Sequence, residues 1–430
     1  LISGLGLVPA APYDAPSPLA QGYVTAGTDS GHQNKQGVSP MAFALNDEML
    51  LNFAYQSYAK VRNVSVELMK RAYGREPQYL YFVGSSEGGR EGLTMAQRYP
   101  AAFNGIFSRV PVMNWTGLQF AGARNGTALF GEGWLSPAHV KLVHDAVLAA
   151  CDAADGAVDR VVSNADACRR TFDPTSLQCK GSDTANCLNP AQVRAVQTLR
   201  SPYRFPYALA NGIVEYPGWG IGGEDTTAYG PTGGWRAWWT GSAAPQVPAL
   251  PTNGIAWFYG GGALQYFYAR DASADPRTIT PESTQARTQV VSSIMDATNP
   301  DLGGFHARGH KLIILEHMSD YAQSPYAGLQ YGEAVKRHMG PGRANEFMRV
   351  YAAPGVDHVG SGAPALVDML KALSTWVERS EAPINLQLAD QDNKAPFAVL
   401  RTRPLCEWPK WTRFKGGDVN AAASFECANP

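Results

Sequence analysis

The chain has 430 residues, 45% hydrophobic and 17% charged, with 36 Lys and Arg against 37 Asp and Glu for a net charge of −1. That length holds one large domain with insertions or two domains, and the balanced charge argues against nucleic-acid or anionic-membrane binding. No apolar run is long enough to span a bilayer. The 44 Gly and 30 Pro point to many ordered loops.

The sequence opens at Leu1 with no methionine and no visible signal peptide, as expected of a processed or trimmed product. Residues 46–73 carry apolar side chains at helical spacing, with Gly74 as the stop. "QYLYFVG" (78–84) reads as a short buried strand, residues 88–99 as a helix ended by Pro100, and "FNGIFSRVP" (103–111) as the next strand. Strand, tight turn, helix and strand make a βαβ unit, which predicts a parallel sheet. From Trp115 to about residue 300 the chain is rich in Gly, Pro, Trp and Cys, with few clean strand patterns. It reads as one large insertion, and its aromatics argue against disorder. Strand logic returns at "KLIILEHMSD" (311–320), with Asp320 just past the strand end. A helix over 331–340, a strand running into the loop "GVDHVGSG", and an amphipathic helix over 364–379 follow. The last fifty residues are expected to be loop-rich and pinned by Cys406 and Cys427.

Gly84-Ser85-Ser86-Glu87-Gly88 satisfies G-x-S-x-G with Ser86 at its centre. A five-residue match alone is unspecific, but here a strand precedes it and a helix follows. The reason for the pattern is steric. A serine on a strained strand-to-helix turn points into the cleft, glycines let the neighbouring backbone pass, and the helix N-terminus favours a developing oxyanion. Ser85 takes the x position and faces away.

A serine nucleophile needs a base. Of eight histidines, His32 precedes the nucleophile, His139 and His144 lie in the insertion, and His306 and His310 lie at the wrong end of a strand. His338 sits within a helix, and His317 reads as a packed, hydrogen-bonded residue. His358, in a glycine-rich loop after the last clear strand, is the expected base. Asp320 is its expected acid, and Asp357, adjacent in sequence, is a poor partner. The order Ser86, Asp320, His358 is that of α/β-hydrolases. The expected oxyanion donor is the backbone N–H of Glu87.

The six cysteines, at 151, 168, 179, 187, 406 and 427, fall in two local groups. Their even number and close spacing favour disulfides, and hence export, over catalysis, and no CxxC suggests zinc. Sequence alone leaves fifteen pairings open. The sequons at Asn63, Asn114 and Asn125 read as chance occurrences.

"TDSGHQ", "FAYQSYAKV", "YFVGSSEGGREGLTMAQRYPAAFNGI" and "GVDHVGSG" together resemble the tannase and feruloyl esterase family, which also contains the hydrolase of mono(2-hydroxyethyl) terephthalate. The likeness is loosest over residues 212–298. It implies an α/β-hydrolase core with a mainly parallel sheet, formed by residues 1–114 and 301–430, and a large inserted lid domain over 115–300. It implies the same three residues, Ser86, Asp320 and His358, with Glu87 supplying an oxyanion N–H. "CDAADGAVDRVV" resembles the family's calcium loop, which implies carboxylates from Asp152, Asp155 and Asp159 and carbonyls from Ala157 and Val161. Three acids so close together would repel without a cation, and calcium takes hard oxygens. The ion would be structural; no organic cofactor is implied. The resemblance also pairs Cys151 with Cys168, Cys179 with Cys187, and Cys406 with Cys427.

Two departures matter. The family usually has cysteines before the nucleophile and after the histidine, joined to tie the two catalytic loops; here they are Ser85 and Val359. Packing must then hold the histidine loop. A second oxyanion donor would come from a glycine-rich segment near the N-terminus, where Gly4 and Gly6 are the candidates. His317-Met318 keeps only part of the family's usual His-Gly pair.

An aromatic acyl group needs a flat apolar slot. The insertion offers Trp219, Trp235, Trp238, Trp239, Trp257, Phe258 and Tyr259, and the expected wall is Trp257 with Phe258 in "GIAWFYGGG". Arg236 is a candidate cation for a substrate carboxylate. The expected protein is a secreted or periplasmic serine ester hydrolase for feruloyl, other hydroxycinnamoyl or galloyl esters, such as plant polyphenols or cell-wall esters. The alternatives are a hydrolase of terephthalate half-esters or other synthetic aromatic esters, and a binding module with a dead site. No nucleic-acid or membrane partner is expected, and nothing in the sequence indicates an oligomeric state.

Overall fold

The computed structural model describes residues 17–181, 186–226, 233–392, 394 and 396–430. The candidate glycines 4 and 6 lie outside them. A short helix α1 (Asp47–Leu51) runs through a wide turn into α2 (Ser57–Tyr73), which ends on Gly74 in the left-handed region at φ 69°. Strand β1 (Tyr81–Ser85), helix α3 (Glu87–Arg98) and strand β2 (Gly105–Arg109) form the expected βαβ unit.

The segment between β2 and the next sheet strand is mainly helical: α4 (Trp115–Ala128), α5 (Pro137–Cys151), α6 (Ala165–Thr171) and α7 (Pro190–Arg200). A small ladder of β3 (Tyr203–Arg204) and β4 (Glu215–Tyr216) follows, then α8 (Ile255–Ala263), α9 (Gln285–Met295) and α10 (Gly303–His306). Helices α4 and α8 pack closely because glycines face the contact: a Cβ on Gly126 would stand 2.7 Å from the Trp257 ring, and one on Gly260 2.9 Å from the Ala123 nitrogen.

Strand β5 (Lys311–His317), helices α11 (Pro325–Met339) and α12 (Pro341–Phe347), strand β6 (Met348–Ala353) and helix α13 (Met369–Arg379) return to the sheet. The last fifty residues are loop-rich, as expected, with short strands among the loops that the sequence did not suggest. They form a hairpin of β7 (Gln387–Gln391) and β8 (Val399–Pro404), then β9 (Cys406–Glu407), and a second pair, β10 (Trp411–Phe414) with β11 (Phe425–Ala428). Their strands are short and alternate weakly, so period-2 patterning gives little signal.

The main sheet runs β1-β2-β5-β6-β9, parallel except for β9. Six of the seven residues of β5 are buried, as a central parallel strand covered on both faces requires. Alternate residues divide between the faces. Ile106, Leu312 and Ile314 pack with Leu93 of α3 and Leu329 of α11, while Phe107, Ile313 and Leu315 pack with Leu373 and Trp376 of α13. The protein has an α/β fold. Disulfides join Cys151 to Cys168, Cys179 to Cys187 and Cys406 to Cys427. No helix of the described residues is long and apolar enough to cross a membrane. Of the three sequons, Asn114 and Asn125 are buried and Asn63 is exposed.

Candidate active site

The C-terminal ends of β1, β5 and β6 bring three distant side chains together. Ser86 follows β1 with φ 61° and ψ −117°, a conformation an ordinary L-residue avoids. Such strain costs about 1–3 kcal/mol and persists only where the surroundings over-determine it. Here the Ser86 N–H donates to the Arg109 carbonyl at 2.9 Å, and the Ser86 carbonyl accepts from Gly89 at 3.0 Å and from Val112 at 3.2 Å.

Of the two flanking glycines, Gly84 lets the backbone pass as expected and Gly88 does not. A Cβ on Gly84 would lie 2.0 Å from the Gly88 oxygen, and one on Gly89 would lie 2.7 Å from the Arg109 oxygen. A Cβ on Gly88 would meet nothing within 4 Å. The turn therefore needs Gly84 and Gly89, the latter just beyond the five-residue pattern.

Nε2 of His358 stands 3.0 Å from Ser86 Oγ, and Nδ1 of His358 stands 2.7 Å from Asp320 Oδ2. Asp320 is buried after β5. Its Oδ1 accepts the N–H groups of Ala322 at 2.7 Å and Gln323 at 3.0 Å, which hold the carboxylate in one orientation. As the first residue of α3, Glu87 has a backbone N–H without an intrahelical acceptor. Its side chain turns to Arg90, whose Nε donates to Glu87 Oε1 at 2.7 Å, and burial pushes the Glu87 carboxyl up to about 7.

The histidine loop is held by polar contacts as well as the packing expected, and His317 is the packed, hydrogen-bonded residue that the sequence suggested. The buried His317 makes a 2.6 Å hydrogen bond from Nδ1 to the Asp357 carbonyl. Burial, and then the Arg109 cation, push His317 down to about 3, so it is neutral and donates. The Asp357 carboxylate does not reach toward His358; its Oδ1 accepts the N–H groups of Val359 at 3.1 Å and Ser361 at 2.8 Å. Beneath the triad, Gln323 Nε2 bridges Glu316 Oε2 at 2.8 Å and Asp320 Oδ2 at 3.2 Å. Burial and the Asp320 charge push Glu316 well above the usual carboxylate range, so it is a neutral acid there. Ser85 Oγ accepts from Arg109 Nε at 2.9 Å.

The aromatic wall is not where the sequence reading put it. Trp257 is fully buried: its Nε1 donates to the Gln246 carbonyl at 2.9 Å, and its ring meets Phe130 at 5.1 Å. Phe258 is half-buried and reaches the site only through Tyr259, 6.0 Å away. The rings beside His358 are Trp238 and Tyr321, each at 6.3 Å, and Tyr259 stacks with Trp238 at 6.5 Å. The spacing carried a usable signal. Trp235 and Trp239 stand four apart, share a buried face, and leave Trp238 turned off it. Arg236 pairs with Asp225 at 2.7 Å, which engages its charge.

The acidic loop joins α5 to α6. Asp152 accepts the N–H groups of Asp159 and Arg160, Asp155 that of Ala157, and Asp159 that of Val161. Asp159 also pairs with the buried Arg403 of β8. Asp155 Oδ2 is buried with no partner, and burial, with the neighbouring Asp159 and Asp152 charges, raises its pKa. The donor set is hard oxygen with more negative charge than Arg403 offsets, which suits a divalent cation in kind. Among the described residues no three His, Cys, Asp or Glu side chains converge as a metal-binding group, so side chains alone would not complete such a site.

The family model for tannase and feruloyl esterase matches residues 5–428. The mono(2-hydroxyethyl) terephthalate hydrolase of Piscinibacter sakaiensis is 34% identical, over 96% of this chain and 75% of that protein. A probable feruloyl esterase of Arthroderma benhamiae is 31% identical, over 95% of this chain and 75% of that protein. The crystal structure of feruloyl esterase B from Aspergillus oryzae superposes with a TM-score of 0.78 at 24% identity, covering 93% of this chain and 79% of that one, which speaks to the fold alone. The chain belongs to the tannase and feruloyl esterase family of carboxylic ester hydrolases.

Proposed function

We propose that this protein cleaves esters of small aromatic acids through an acyl-enzyme on Ser86. The carrying observation is the continuous contact from Ser86 Oγ through both nitrogens of His358 to Asp320, at 3.0 and 2.7 Å. Ser86 Oγ attacks the ester carbonyl while His358 Nε2 takes its proton, and Asp320 orients the imidazole and stabilises its charged form. The Glu87 N–H donates to the oxyanion; losing such a donor raises the barrier by about 3–4 kcal/mol. His358 then gives the proton to the leaving alcohol. A water, deprotonated in the same way, releases the acid and restores Ser86.

The aromatic acyl preference is supported by Trp238, Tyr321 and Tyr259 around the imidazole, which offer flat apolar faces. Hydroxycinnamoyl and galloyl esters are the favoured substrates. Terephthalate half-esters are the second reading, favoured by the relative at 34% identity. Release of acid from methyl ferulate, methyl gallate, a terephthalate half-ester and an aryl acetate, compared with Ser86→Ala, tests both readings. Activity lost in Ser86→Ala supports the mechanism, and the ranking selects the acyl group. Equal release by both proteins would favour a binding module.

We also propose that the loop over 152–161 holds a structural calcium ion through Asp152, Asp155 and Asp159 and the carbonyls of Ala157 and Val161. The partnerless Asp155 Oδ2 and the excess negative charge support it. No catalytic step passes through that ion. Three disulfides support a secreted or periplasmic location.

A further inference from the structure

A second concave site lies apart from the triad. Asp166, Arg169 and Arg170 of α6, Arg200 at the end of α7 and Tyr326 of α11 line a cavity of about 360 Å³, and none of Ser86, Asp320 or His358 borders it. Three guanidinium groups on one wall repel each other unless something negative offsets them. Arg200 has a partner behind the wall: its Nη2 donates to the buried Glu224 at 2.7 Å, and Glu224 also faces His144 Nδ1 at 3.3 Å. Neither Arg169 nor Arg170 forms an ion pair among the described residues, although Asp166 shares the wall. Counting Arg169, Arg170 and Arg200 against Asp166 and Glu224 leaves one positive charge.

A buried polar atom at this wall also lacks a partner: Arg200 Nε has none, while the Tyr326 hydroxyl lies beside Asp166 and Arg169. Such an atom is costly to leave dry and unpaired. Arg169 is already aligned, its guanidinium 3.9 Å above the Tyr326 ring, and Arg200 lies 4.6 Å from the Phe172 ring. Stacking fixes the plane of each fork while leaving its edge free to donate.

We propose that this cavity binds a small organic carboxylate, gripped by Arg169 and Arg170 with Arg200 behind them. The single uncompensated charge suits a monoanion better than a dianionic phosphate. The volume exceeds that of a bare inorganic ion and reaches the range of pockets that take sugar-acid or single-ring ligands. Guanidinium forks match the paired oxygens of a carboxylate.

Isothermal titration of the full chain at low salt tests this, with glucuronate and benzoate as probes and inorganic phosphate and glucose as controls. Wild type is compared with Arg170→Ala and Arg169→Gln, neither of which alters the triad. The expected result is saturable binding of at least one carboxylate, tighter than phosphate, no binding of glucose, and affinity about tenfold weaker in both variants. No binding of either carboxylate would overturn the proposal. So would phosphate binding more tightly than both, or carboxylate affinity unchanged in the variants, which would put the ligand at another site.

Discussion

His317 carries an energetic cost that depends on pH. It closes β5, is buried, and holds the histidine loop through the Asp357 carbonyl at 2.6 Å. Its pKa falls from the ordinary 6.5 to about 3 in the folded protein. Above 6.5 the imidazole is neutral in both states and contributes no pH dependence. As pH falls below that value the unfolded chain takes up a proton that the native protein refuses, so stability is lost until pH reaches about 3. Between pH 7 and pH 5 this one residue should remove about 2 kcal/mol, and near pH 3 about 5 kcal/mol. Buried carboxyls with raised values, Asp296 at about 6 among them, act in the opposite sense, so wild type alone would not isolate the effect. His317→Asn keeps an N–H donor for the carbonyl and does not titrate. Urea unfolding of both proteins at half-unit pH steps should give stability curves whose gap narrows as the solution is acidified, by about 1.4 kcal/mol per pH unit below pH 6. A constant gap would refute the neutral, buried assignment of His317.

Three further outcomes follow from particular contacts. Gly84→Ala should abolish folding or activity, because its methyl would enter the Gly88 carbonyl, whereas Gly88→Ala should keep the melting temperature within a few degrees; thermal melts and ester assays check both. Trp257→Ala should destabilise the protein by about 3–5 kcal/mol in denaturant unfolding, while Trp238→Ala, at a half-buried ring, should cost less stability and raise KM for aromatic esters. Calcium should raise the melting temperature of wild type and chelator should lower it, with Asp155→Asn insensitive to both; identical melts in all conditions would remove the structural-ion reading.

The parts legible in the sequence were those with short-range signals. An apolar strand, a glycine-bounded serine and a helix stand consecutively, so the turn carrying Ser86 could be located, although β1 lies at the sheet edge with Val83 exposed rather than buried as expected. Asp320 and His358 could be located because each follows a strand of strong apolar character. Helix α11 begins at Pro325, six residues before the expected start, because Ser324 and Pro325 open it while the apolar period becomes clear only later. The contacts holding the histidine loop were not legible. His317 and Asp357 are forty residues apart and meet only because β5 and β6 are neighbours. Arg403 reaches Asp159 across more than two hundred residues, and no local pattern announces that pair. The wall expected at Trp257 fails for a related reason: the glycines beside it let α8 pack against α4 and bury the ring.

The most direct test is chemical. Wild type is mixed with an activated aromatic ester, quenched in acid within milliseconds, digested, and analysed by mass spectrometry. The expected result is an acyl adduct on the peptide containing Ser86, absent from Ser86→Ala and accumulating in His358→Ala only at a rate lower by many orders of magnitude. An adduct on another residue, or turnover by Ser86→Ala at the wild-type rate, would contradict it.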